Sequence, residues 1–486
     1  MRIPTGDIDR LREALAAASF TPDGITARLG APARAAADRG DHRAALAATS
    51  RLDALDVLIR LFVCRVPVAA APVAEALKPL DLEAAHAWGL LTRDGDDHSA
   101  GLALTPYGDF HVLSDAPAAP GRGLDTEHVL GVGGASTTLT AATLRRPVGS
   151  ALDVGTGCGV QALHLSGHAE RVTATDLSER ALAFAAANAR LNGLDWELLR
   201  GDMLAPVAGR RFDLVVSNPP FVIGAGDATF TYRDSGRAAD GVCAELAAAA
   251  PTLLNPGGTL QFLANWVHVK GQDWRTRVGG WFDGTGCDVW AVQRDVTDPL
   301  DYVRVWQRDA AESHDPHAMA AWLDWFDAND VEGVGFGMVT ARLSGRDEPI
   351  VNCDDIRHQV QAPYADRIAE WFDRHDLIAE LTPERLLAGR LRLTEGVELR
   401  QEASLGEDGW EVGRQLLAQT AGMRFAEEVD PLLVAFLGGC TGQVPVRTQI
   451  ALLAAAHEAP DGLLAASLAP VIGHFVQRGF LTVHEG

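Results

Sequence analysis

Residues 212–223 of the chain read FDLVVSNPPFVI, and this stretch ends a buried strand in an unusual way. The apolar residues 214–216 predict a β-strand, but the sequence turns polar at Asn218 and continues with two prolines and an aromatic residue. Because Pro219 and Pro220 have no N–H to donate to a sheet, the strand has to stop before them. The amide side chain of Asn218 is therefore expected at the carboxyl end of a buried strand.

The bulk composition indicates an ordinary globular protein of more than one domain. The chain has 486 residues, 47% of them hydrophobic, and no apolar run of the roughly 20 residues that cross a bilayer. Acidic residues near the N-terminus do not suit a signal peptide, and the six cysteines form no C-x-x-C pair, so we expect a cytoplasmic location without a disulfide framework. The net charge of −23 does not favour binding of long nucleic acids, although a local basic patch stays compatible with it.

Three regions with different patterns suggest three domains. Residues 1–115 alternate helical segments with a hairpin around residues 94–97, which predicts a mainly helical, winged-helix-like N-terminal domain. After a linker rich in proline and glycine, residues 124–345 alternate strands with helices and form the expected central domain. Residues 380–486 are again mainly helical with a short terminal strand, and we expect a C-terminal domain that also resembles a winged helix.

The central region is predicted as an α/β domain with a seven-stranded sheet. Its first five strands are separated by helices or by segments long enough to cross over, so they should be parallel. The last two predicted strands, at 287–295 and 301–309, are joined too closely for a crossover and should form an antiparallel hairpin. A further strand is predicted at 333–343, after a helix.

A glycine-rich loop follows the first central strand, in the stretch ALDVGTGCGVQALHL. Gly155, Gly157 and Gly159 allow a ligand to approach the backbone closely, and the next helix offers free N–H groups at its N-terminus. The dinucleotide fingerprint G-x-G-x-x-G would need a glycine at Val160, so the loop does not favour a nicotinamide-dependent oxidoreductase. Asp153, before the loop, suits a ligand with a cationic amino group better than it suits a pyrophosphate.

Two further acids end the next two strands. Asp176 ends the second strand, where a carboxylate can accept hydrogen bonds from both hydroxyls of a ribose. Asp202 ends the third strand, where it can bind the amino group of an adenine, with Met203 beside the ring. Any one of these acids alone is equally explained as a helix N-cap. Together with Asp153, and at the edge where parallel sheets bind ligands, they indicate a nucleoside cofactor.

The order of these motifs, D-V-G-T-G-C-G, T-D-L, G-D-M and S-N-P-P-F, resembles that of class I S-adenosylmethionine-dependent methyltransferases. Residues 218–221 are similar to the N-P-P-[YF] motif of the amino methyltransferases, which modify an NH2 group on a planar π system. The resemblance covers residues 125–308 and implies a Rossmann-like sheet of five parallel strands with a terminal antiparallel hairpin. It also implies that S-adenosyl-L-methionine binds at Gly133, Thr137, Asp153, Gly155, Thr156, Gly157, Gly159, Asp176, Leu177, Asp202, Met203 and Asn218.

The N-P-P-F motif suits methyl transfer to a poorly nucleophilic nitrogen. The lone pair of an amide or exocyclic amine is delocalised, so acceptors aimed at its hydrogens favour a pyramidal nitrogen and relieve charge as the methyl arrives. The side-chain oxygen of Asn218 and the carbonyl of Pro219 are these acceptors, and the two prolines fix them in place. Phe221 offers a face for stacking the planar group. We therefore expect Asn218, Pro219, Pro220 and Phe221 to be catalytic, with no general base needed before attack.

The sequence leaves the methyl acceptor open between a protein, a peptide, a nucleobase and a small molecule. The segment VLGVGGASTTLTAATL resembles ribosomal RNA guanine-N2 methyltransferases, whereas the segment after N-P-P-F is more similar to the glutamine methyltransferases of release factors and ribosomal proteins. Arg233 and Arg237 in that later segment are candidate substrate-binding residues. The acidic charge disfavours a large RNA, and we expect the terminal domains to select the acceptor, with the N-terminal one packed across the carboxyl edge of the sheet.

Two other functions stay open, and several further residues carry less weight. The first is a methyltransferase whose acceptor is a small-molecule or peptide natural product. The second is a regulatory protein that senses the cofactor, which would not need N-P-P-F. The histidine pairs at 164 and 168 and at 314 and 317 lack a third ligand nearby, so no metal site is expected. Three tryptophans either wall the pocket or fill the core: Trp266, Trp274 and Trp281.

Overall fold

The computed structural model describes residues 3–117, 125–225, 236–309, 316–361, 363–407, 409–458 and 460–484. The chain divides into two compact units, Met1–Arg357 and His358–Gly486. The first unit holds the N-terminal and central regions together. In the described residues, every helix is too short or too polar to cross a membrane.

The first unit is an α/β structure. Its described residues form the helices α1 (Thr5–Ala17), α2 (Pro22–Leu29), α3 (Ala31–Ala37), α4 (Arg43–Ala48), α5 (Ala54–Leu58), α6 (Ala70–Ala76), α7 (Leu82–Ala87), α8 (Gly134–Ala142), α9 (Val160–Leu165), α10 (Glu179–Leu191), α11 (Gly241–Leu253), α12 (Trp274–Gly280), α13 (Pro299–Asp309) and α14 (Pro316–Ala328). A π-helical turn spans Ile59–Val63 and a 3₁₀ turn spans Ala205–Val207. The strands are β1 (Val68–Ala69), β2 (Leu91–Asp94), β3 (Asp97–Ala100), β4 (Leu102–Tyr107), β5 (Phe110–Asp115), β6 (Ala151–Val154), β7 (Val172–Asp176), β8 (Glu197–Arg200), β9 (Phe212–Ser217), β10 (Leu254–Val269), β11 (Cys287–Thr297), β12 (Val331–Leu343) and β13 (Val351–Asp355).

Eight strands form the central sheet, in the order β13-β11-β12-β10-β9-β6-β7-β8. The strands β8, β7, β6, β9 and β10 are parallel, as predicted, while β12 is antiparallel to both of its neighbours. Val154 lies opposite both Thr175 and Ser217. The glycine-rich loop, Asp176 and Asn218 therefore reach the same edge of the sheet.

The predicted hairpin between 287–295 and 301–309 is wrong in its second strand. Residues 301–309 lie in helix α13, and the antiparallel partner of β11 is β12, which contains the further strand predicted at 333–343. Strand β13 pairs in parallel with β11 and brings the sheet to eight strands, where seven were expected. The stretch DYVRVWQRD alternates apolar and polar residues, but burial of the adjacent Tyr302 and Val303 in one core fits a helical face instead.

The N-terminal region packs on helix α10, on a face of the sheet. The guanidinium of Arg190 in α10 donates to both carboxylate oxygens of Asp9 in α1, at 2.7 and 2.6 Å. The side chain of Asn188 exchanges hydrogen bonds with the backbone of Leu113 in β5. One hydrophobic core runs continuously through both regions. The contacts of this region with α10 lie on a face of the sheet, whereas packing across the carboxyl edge was expected.

A small sheet lies within the N-terminal region. Strand β1, helices α6 and α7, and strands β2 and β3 follow one another, and the three strands pair in the order β1-β3-β2. Strands β4 and β5 form a separate antiparallel hairpin, which ends next to α10.

The second unit combines helices with two small sheets. Its described helices are α15 (Ala365–Glu380), α16 (Pro383–Ala388), α17 (Pro431–Gly438), α18 (Val446–Ala456) and α19 (Asp461–Gln477). Its strands are β14 (Arg390–Leu393), β15 (Val397–Gly406), β16 (Gly409–Gln419), β17 (Ala426–Glu428), β18 (Thr441–Pro445) and β19 (Leu481–His484). They pair in the orders β18-β14-β19 and β15-β16-β17.

Gly159 shows why the loop after β6 requires a glycine. Its φ is +91°, and a Cβ at this position would lie 2.7 Å from the ring of Trp196. The indole of Trp196 is buried and donates its N–H to the hydroxyl of Ser166 at 2.8 Å, which holds the ring in place. Gly159 thus permits close packing between the loop and the core.

We expect Gly159→Ala to lower the free energy of unfolding by about 2–4 kcal/mol, because strain at a positive φ and overpacking against Trp196 add together. Gly209→Ala is the matched control, since Gly209 has a φ of +77° but a Cβ there would meet no other atom within 4 Å. It should cost only the strain, about 1–2 kcal/mol. Chemical denaturation of both variants makes the comparison, and equal losses would contradict the role of Trp196.

Candidate active site

A cavity of about 750 Å³ lies at the carboxyl edge of the parallel strands. Its volume is in the range of small-molecule sites. Most of the predicted site residues line it: Gly133, Asp153, Gly155, Thr156, Gly157, Asp176, Leu177, Asp202, Met203, Asn218, Pro219, Pro220, Phe221 and Arg237. Gly159 does not, and neither does Thr137, whose hydroxyl donates to the carbonyl of Gly134 in its own helix. Arg233 lies outside the described residues.

Asp153 is buried beneath the glycine-rich loop. One of its carboxylate oxygens accepts the hydroxyl of Thr156 at 2.6 Å and the N–H of Ala162 at 3.1 Å. These bonds join the loop to the first turn of α9. Burial raises the pKa of Asp153 to about 7. A cationic group in the cavity would therefore favour the ionised form of this carboxyl.

Asp176 is held by the backbone at the end of β7. Gly157 donates its N–H to one carboxylate oxygen at 2.8 Å, and Ser178 donates its N–H to the other at 2.9 Å. Burial raises the pKa of Asp176. Each oxygen keeps a further lone pair, so the carboxylate can accept two more donors that lie side by side, as the hydroxyls of a ribose do.

Asp202 and Arg237 form an ion pair at the wall of the cavity. Their side chains approach to 3.2 Å, and the same guanidinium group also bonds to Glu245 at 3.2 Å. The side chain of Asp202 is 58% exposed. Met203, next to it, has a φ of +44°, a left-handed conformation that is uncommon for a non-glycine residue. Arg237, predicted to grip the acceptor, is thus placed beside the acid that was predicted to bind adenine.

Asn218 lines the cavity and carries an unsatisfied side-chain oxygen. Its side-chain Oδ1 is buried and has no hydrogen-bond partner among the described residues. The strand before it is fixed, because the hydroxyl of Ser217 donates to the carbonyl of Val154 at 2.9 Å. A buried acceptor without a donor costs about 1–3 kcal/mol, so a ligand N–H at this point would be favourable. The ring of Phe221 is buried and lines the same cavity.

Helices α13 and α14 support the segment after N-P-P-F. The sequence predicted a helix at α14 but gave it no role at the site, and it missed α13. The hydroxyl of Tyr302 accepts the N–H of Ile223 at 2.9 Å, and the indole of Trp322 donates to the carbonyl of Ile223 at 2.8 Å. Trp306 lines the cavity, with its ring centroid 6.3 Å from that of Phe221 in an edge-on arrangement. The i, i+4 spacing of Tyr302 and Trp306 is the signal that indicates this helix.

The segment before the first central strand and Thr175 also contribute to the cavity. Residues 127–136 line it, and among them only Gly133 was named as a site residue. The side chain of Gln161 donates to the carbonyl of Ser136 at 2.9 Å and ties this segment to α9. Thr175 also lines the cavity, and its hydroxyl is buried without a partner in the described residues.

The remaining candidates lie elsewhere. His164 and His168 do not line the cavity, and the ring of His164 packs edge-on against Tyr107 and Phe110, at 5.3 and 5.5 Å. A cluster of three or more metal-ligating side chains is absent from the described part of the chain. His314 lies outside that part. The tryptophans at 266 and 274 stack on each other at 5.2 Å in the core, and neither they nor the one at 281 line the cavity.

The electrostatics of the cavity select the class of ligand. Asp153, Asp176 and Asp202 surround it, and each offers acceptors rather than donors. A ligand with hydroxyl, amino or cationic groups complements such a surface, whereas a pyrophosphate would be repelled.

Comparison with known proteins places the central region in a family. Residues 134–273 match the model of the "Methyltransferase small domain". Residues 17–101 and 369–483 match two models that are each described as a domain of unknown function, DUF7059 and DUF7782.

Two kinds of curated relative match part of the chain. Ribosomal RNA small subunit methyltransferase C of Alcanivorax borkumensis is 30% identical over 202 residues, which are 39% of this chain and 57% of that protein. Release factor glutamine methyltransferase of Deinococcus radiodurans is 44% identical over 120 residues, which are 22% of this chain and 43% of that protein. The chain thus spans about half the length of the curated relatives it matches.

The region that matches the family model contains both the glycine-rich loop and the N-P-P-F motif, and the structure brings these two together at a single cavity. The central region of the chain is therefore similar to the methyltransferase small domain and to the curated methyltransferases that match it.

Proposed function

We propose that this protein is an enzyme that transfers a methyl group from S-adenosyl-L-methionine to the nitrogen of a planar amide or an exocyclic amine. The observation that carries the proposal is the buried side-chain oxygen of Asn218, which lacks a donor among the described residues. Asn218 and Phe221 line the same cavity. An NH2 group stacked on the ring of Phe221 would supply the missing donor.

The cavity fits the cofactor through the donors and acceptors that it presents. Asp176 keeps lone pairs that suit the ribose hydroxyls, and Asp202 and Met203 line the same cavity, where we assign the adenine to them. Asp153 supports the glycine-rich loop. Because its pKa is raised, a nearby ammonium group would favour its ionised form. When bound, the cofactor supplies an electrophilic methyl group on a sulfonium.

The residues of the chain act on the acceptor nitrogen by position and electrostatics. Asn218 Oδ1 and the carbonyl of Pro219 accept the two hydrogens of the NH2 group, which turns its lone pair toward the methyl. As the new bond forms, positive charge develops on the nitrogen, and the two acceptors stabilise it. Pro219 and Pro220 keep these acceptors fixed, so that little entropy is lost in the transition state.

The aromatic residues hold the acceptor plane and exclude water. Phe221 offers the stacking face, and Trp306 closes the side of the cavity edge-on to it. Tyr302 and Trp322 fix the backbone that follows, through Ile223. A dry site strengthens the two hydrogen bonds on which the chemistry depends.

We favour a protein or peptide amide over an RNA base as the acceptor. The relatives are named for ribosomal RNA and for release factor glutamine, so both acceptor types occur with this motif. The present chain carries a net charge of −23, and acidic residues such as Glu127 and Asp202 line the cavity. These acids would repel the phosphates of an RNA, and contacts to phosphates dominate RNA binding.

The terminal regions fit docking modules. The β1-β3-β2 sheet with α6 and α7 between its strands supports a winged-helix-like fold within the proposed N-terminal domain 1–115. The C-terminal domain, proposed at 380–486, is less similar, because its β15-β16-β17 sheet is inserted between β14 and β18. The acidic residues at 94, 96 and 97, at the tip of the N-terminal hairpin, support a protein partner rather than nucleic acid.

Incorporation of tritiated methyl tests the function and identifies the acceptor class. A lysate from a strain that lacks the gene, incubated with the purified protein and labelled S-adenosylmethionine, is separated into RNA, protein and small-molecule fractions. We expect the label in the protein fraction. Label in RNA would overturn the acceptor assignment alone. Binding of S-adenosylhomocysteine without incorporation into any fraction would contradict the enzyme and favour a cofactor-sensing protein.

We expect Asn218→Ala to lower kcat by about 10²-fold or more while leaving the Kd for S-adenosylhomocysteine within a few-fold, because the lost acceptor acts in the transition state. Asn255→Ala is the control: this asparagine also precedes a proline, but its amide donates to Asp213 at 2.7 Å and does not line the cavity. A methylation assay and calorimetry measure the two quantities. Equal loss of turnover and binding in Asn218→Ala would refute the assigned role.

Asp176→Ala should instead weaken the binding of S-adenosylhomocysteine by about 1–3 kcal/mol, the cost of losing hydrogen bonds to a charged group. Asp213→Ala serves as the control, since Asp213 accepts the N–H and hydroxyl of Ser150 away from the cavity. Calorimetry at fixed pH gives both dissociation constants. An unchanged Kd for Asp176→Ala would mean that this residue only supports the backbone at the strand end.

A further inference from the structure

The last strand of the N-terminal region contacts two segments that line the cavity. Strand β5 ends at Asp115, and we call residues 125–134, which follow the linker, the strap. Residues 127–134 of the strap line the cavity, although none of residues 3–117 does so. The contacts below connect β5 to the strap on one side and to the glycine-rich loop on the other.

Asp115 is bonded to the strap through its backbone and its side chain. Its N–H donates to the carbonyl of Val129 at 3.1 Å, and its carboxylate accepts the N–H of Val129 at 2.9 Å. Val129 itself is buried in the core that the N-terminal region shares with the sheet. One residue of the strap is therefore fixed by both of its backbone polar groups.

The same carboxylate is anchored to the helix beside the cavity. Arg180, in the first turn of α10, donates from Nε to Asp115 at 2.9 Å and from its terminal nitrogen to the other oxygen. Burial tends to raise the pKa of Asp115, but the bonds from Arg180 and Val129 outweigh it and hold this pKa below its usual value. Asp115 is therefore charged at neutral pH. Arg180 lies next to Ala181, which lines the cavity.

The strap packs directly on β5 at a second point. A Cβ on Gly131 would lie 2.6 Å from the hydroxyl oxygen of Ser114 and 3.4 Å from its Cβ. Only a glycine lets the strap approach the strand this closely. The position of the strap over the cavity is thus set by residues 114 and 115 together.

The glycine-rich loop depends on the same strand. The side-chain nitrogen of Asn188 donates to the carbonyl of Leu113 at 2.8 Å and to the carbonyl of Cys158 at 2.7 Å, while its oxygen accepts the N–H of Leu113 at 2.7 Å. Asn188 is fully buried. A single amide thus connects β5 with the loop that follows β6.

We propose that Asp115 is a positioning residue for cofactor binding, which holds the strap over the cavity and makes the N-terminal region part of the cofactor site. The inference rests on the proposed function, because it concerns the same cavity. It assigns to the N-terminal region a task on the cofactor side, beyond any recognition of the acceptor. Residues 113–115 are the structural element that performs it.

The test compares Asp115→Ala with Asp9→Ala. Asp9 is a matched control because it forms the same type of two-oxygen bond with an arginine of α10, Arg190, but its bonds go to arginines and not to the strap. Calorimetry with S-adenosylhomocysteine should show binding weakened tenfold or more in Asp115→Ala and within twofold of wild type in Asp9→Ala. Hydrogen exchange without ligand should be faster in the strap of Asp115→Ala alone.

A second pair of variants keeps the test decisive if Asp115→Ala fails to fold. Gly131→Ala should displace the strap and weaken the binding of S-adenosylhomocysteine. The double variant with Ser114→Ala, which removes the clashing oxygen, should restore that binding. Unchanged affinity in a folded Asp115→Ala protein, or no recovery in the double variant, would overturn this inference alone. Failure of the wild-type protein to bind S-adenosylhomocysteine would instead overturn the proposed function together with it.

Discussion

The register of three parallel strands is the constraint on which the cavity depends. Because Val154 lies opposite both Thr175 and Ser217, the loops after β6, β7 and β9 leave the sheet at one level. The hydroxyl of Ser217 locks this register by bonding to the carbonyl of Val154, directly before Asn218. A slip of one residue would turn each of these side chains to the other face of the sheet. The acids and the amide would then no longer share a cavity.

Given that register, the contrast between Ile223 and Asn218 is informative. Side chains from α13 and α14 satisfy both the N–H and the carbonyl of Ile223. Five residues earlier, the oxygen of Asn218 is buried without a partner among the described residues. The structure therefore pairs the backbone polar groups after the N-P-P-F turn but leaves the amide oxygen of Asn218 unpaired. A ligand N–H that reached this oxygen would remove the cost of leaving it unpaired.

Sequence patterns predicted the parts of the site that are local in the chain. The motif residues between Asp153 and Phe221 lie at the end of a strand or within a few residues after it, and strand ends in a parallel sheet converge on one edge. The course of residues 301–309 was not predictable in this way, because alternation and helical spacing coexist there and burial of Tyr302 decides between them. Gly159 was assigned to the ligand, since only the structure brings Trp196 against it.

The supports of the cavity divide between its two ends. Strand β5 and α10 hold the strap and the glycine-rich loop, on the side proposed for the cofactor, through Asp115 and Asn188. Helices α13 and α14, between β11 and β12, hold the segment that follows N-P-P-F, on the side proposed for the acceptor. Changes in α13 and α14 can therefore alter the side of the cavity at Trp306 without disturbing the acids on the side proposed for the cofactor. Because methyl transfer requires both reactants in one fixed geometry, two independent supports that meet at Asn218 allow acceptor choice to vary while the cofactor stays in place.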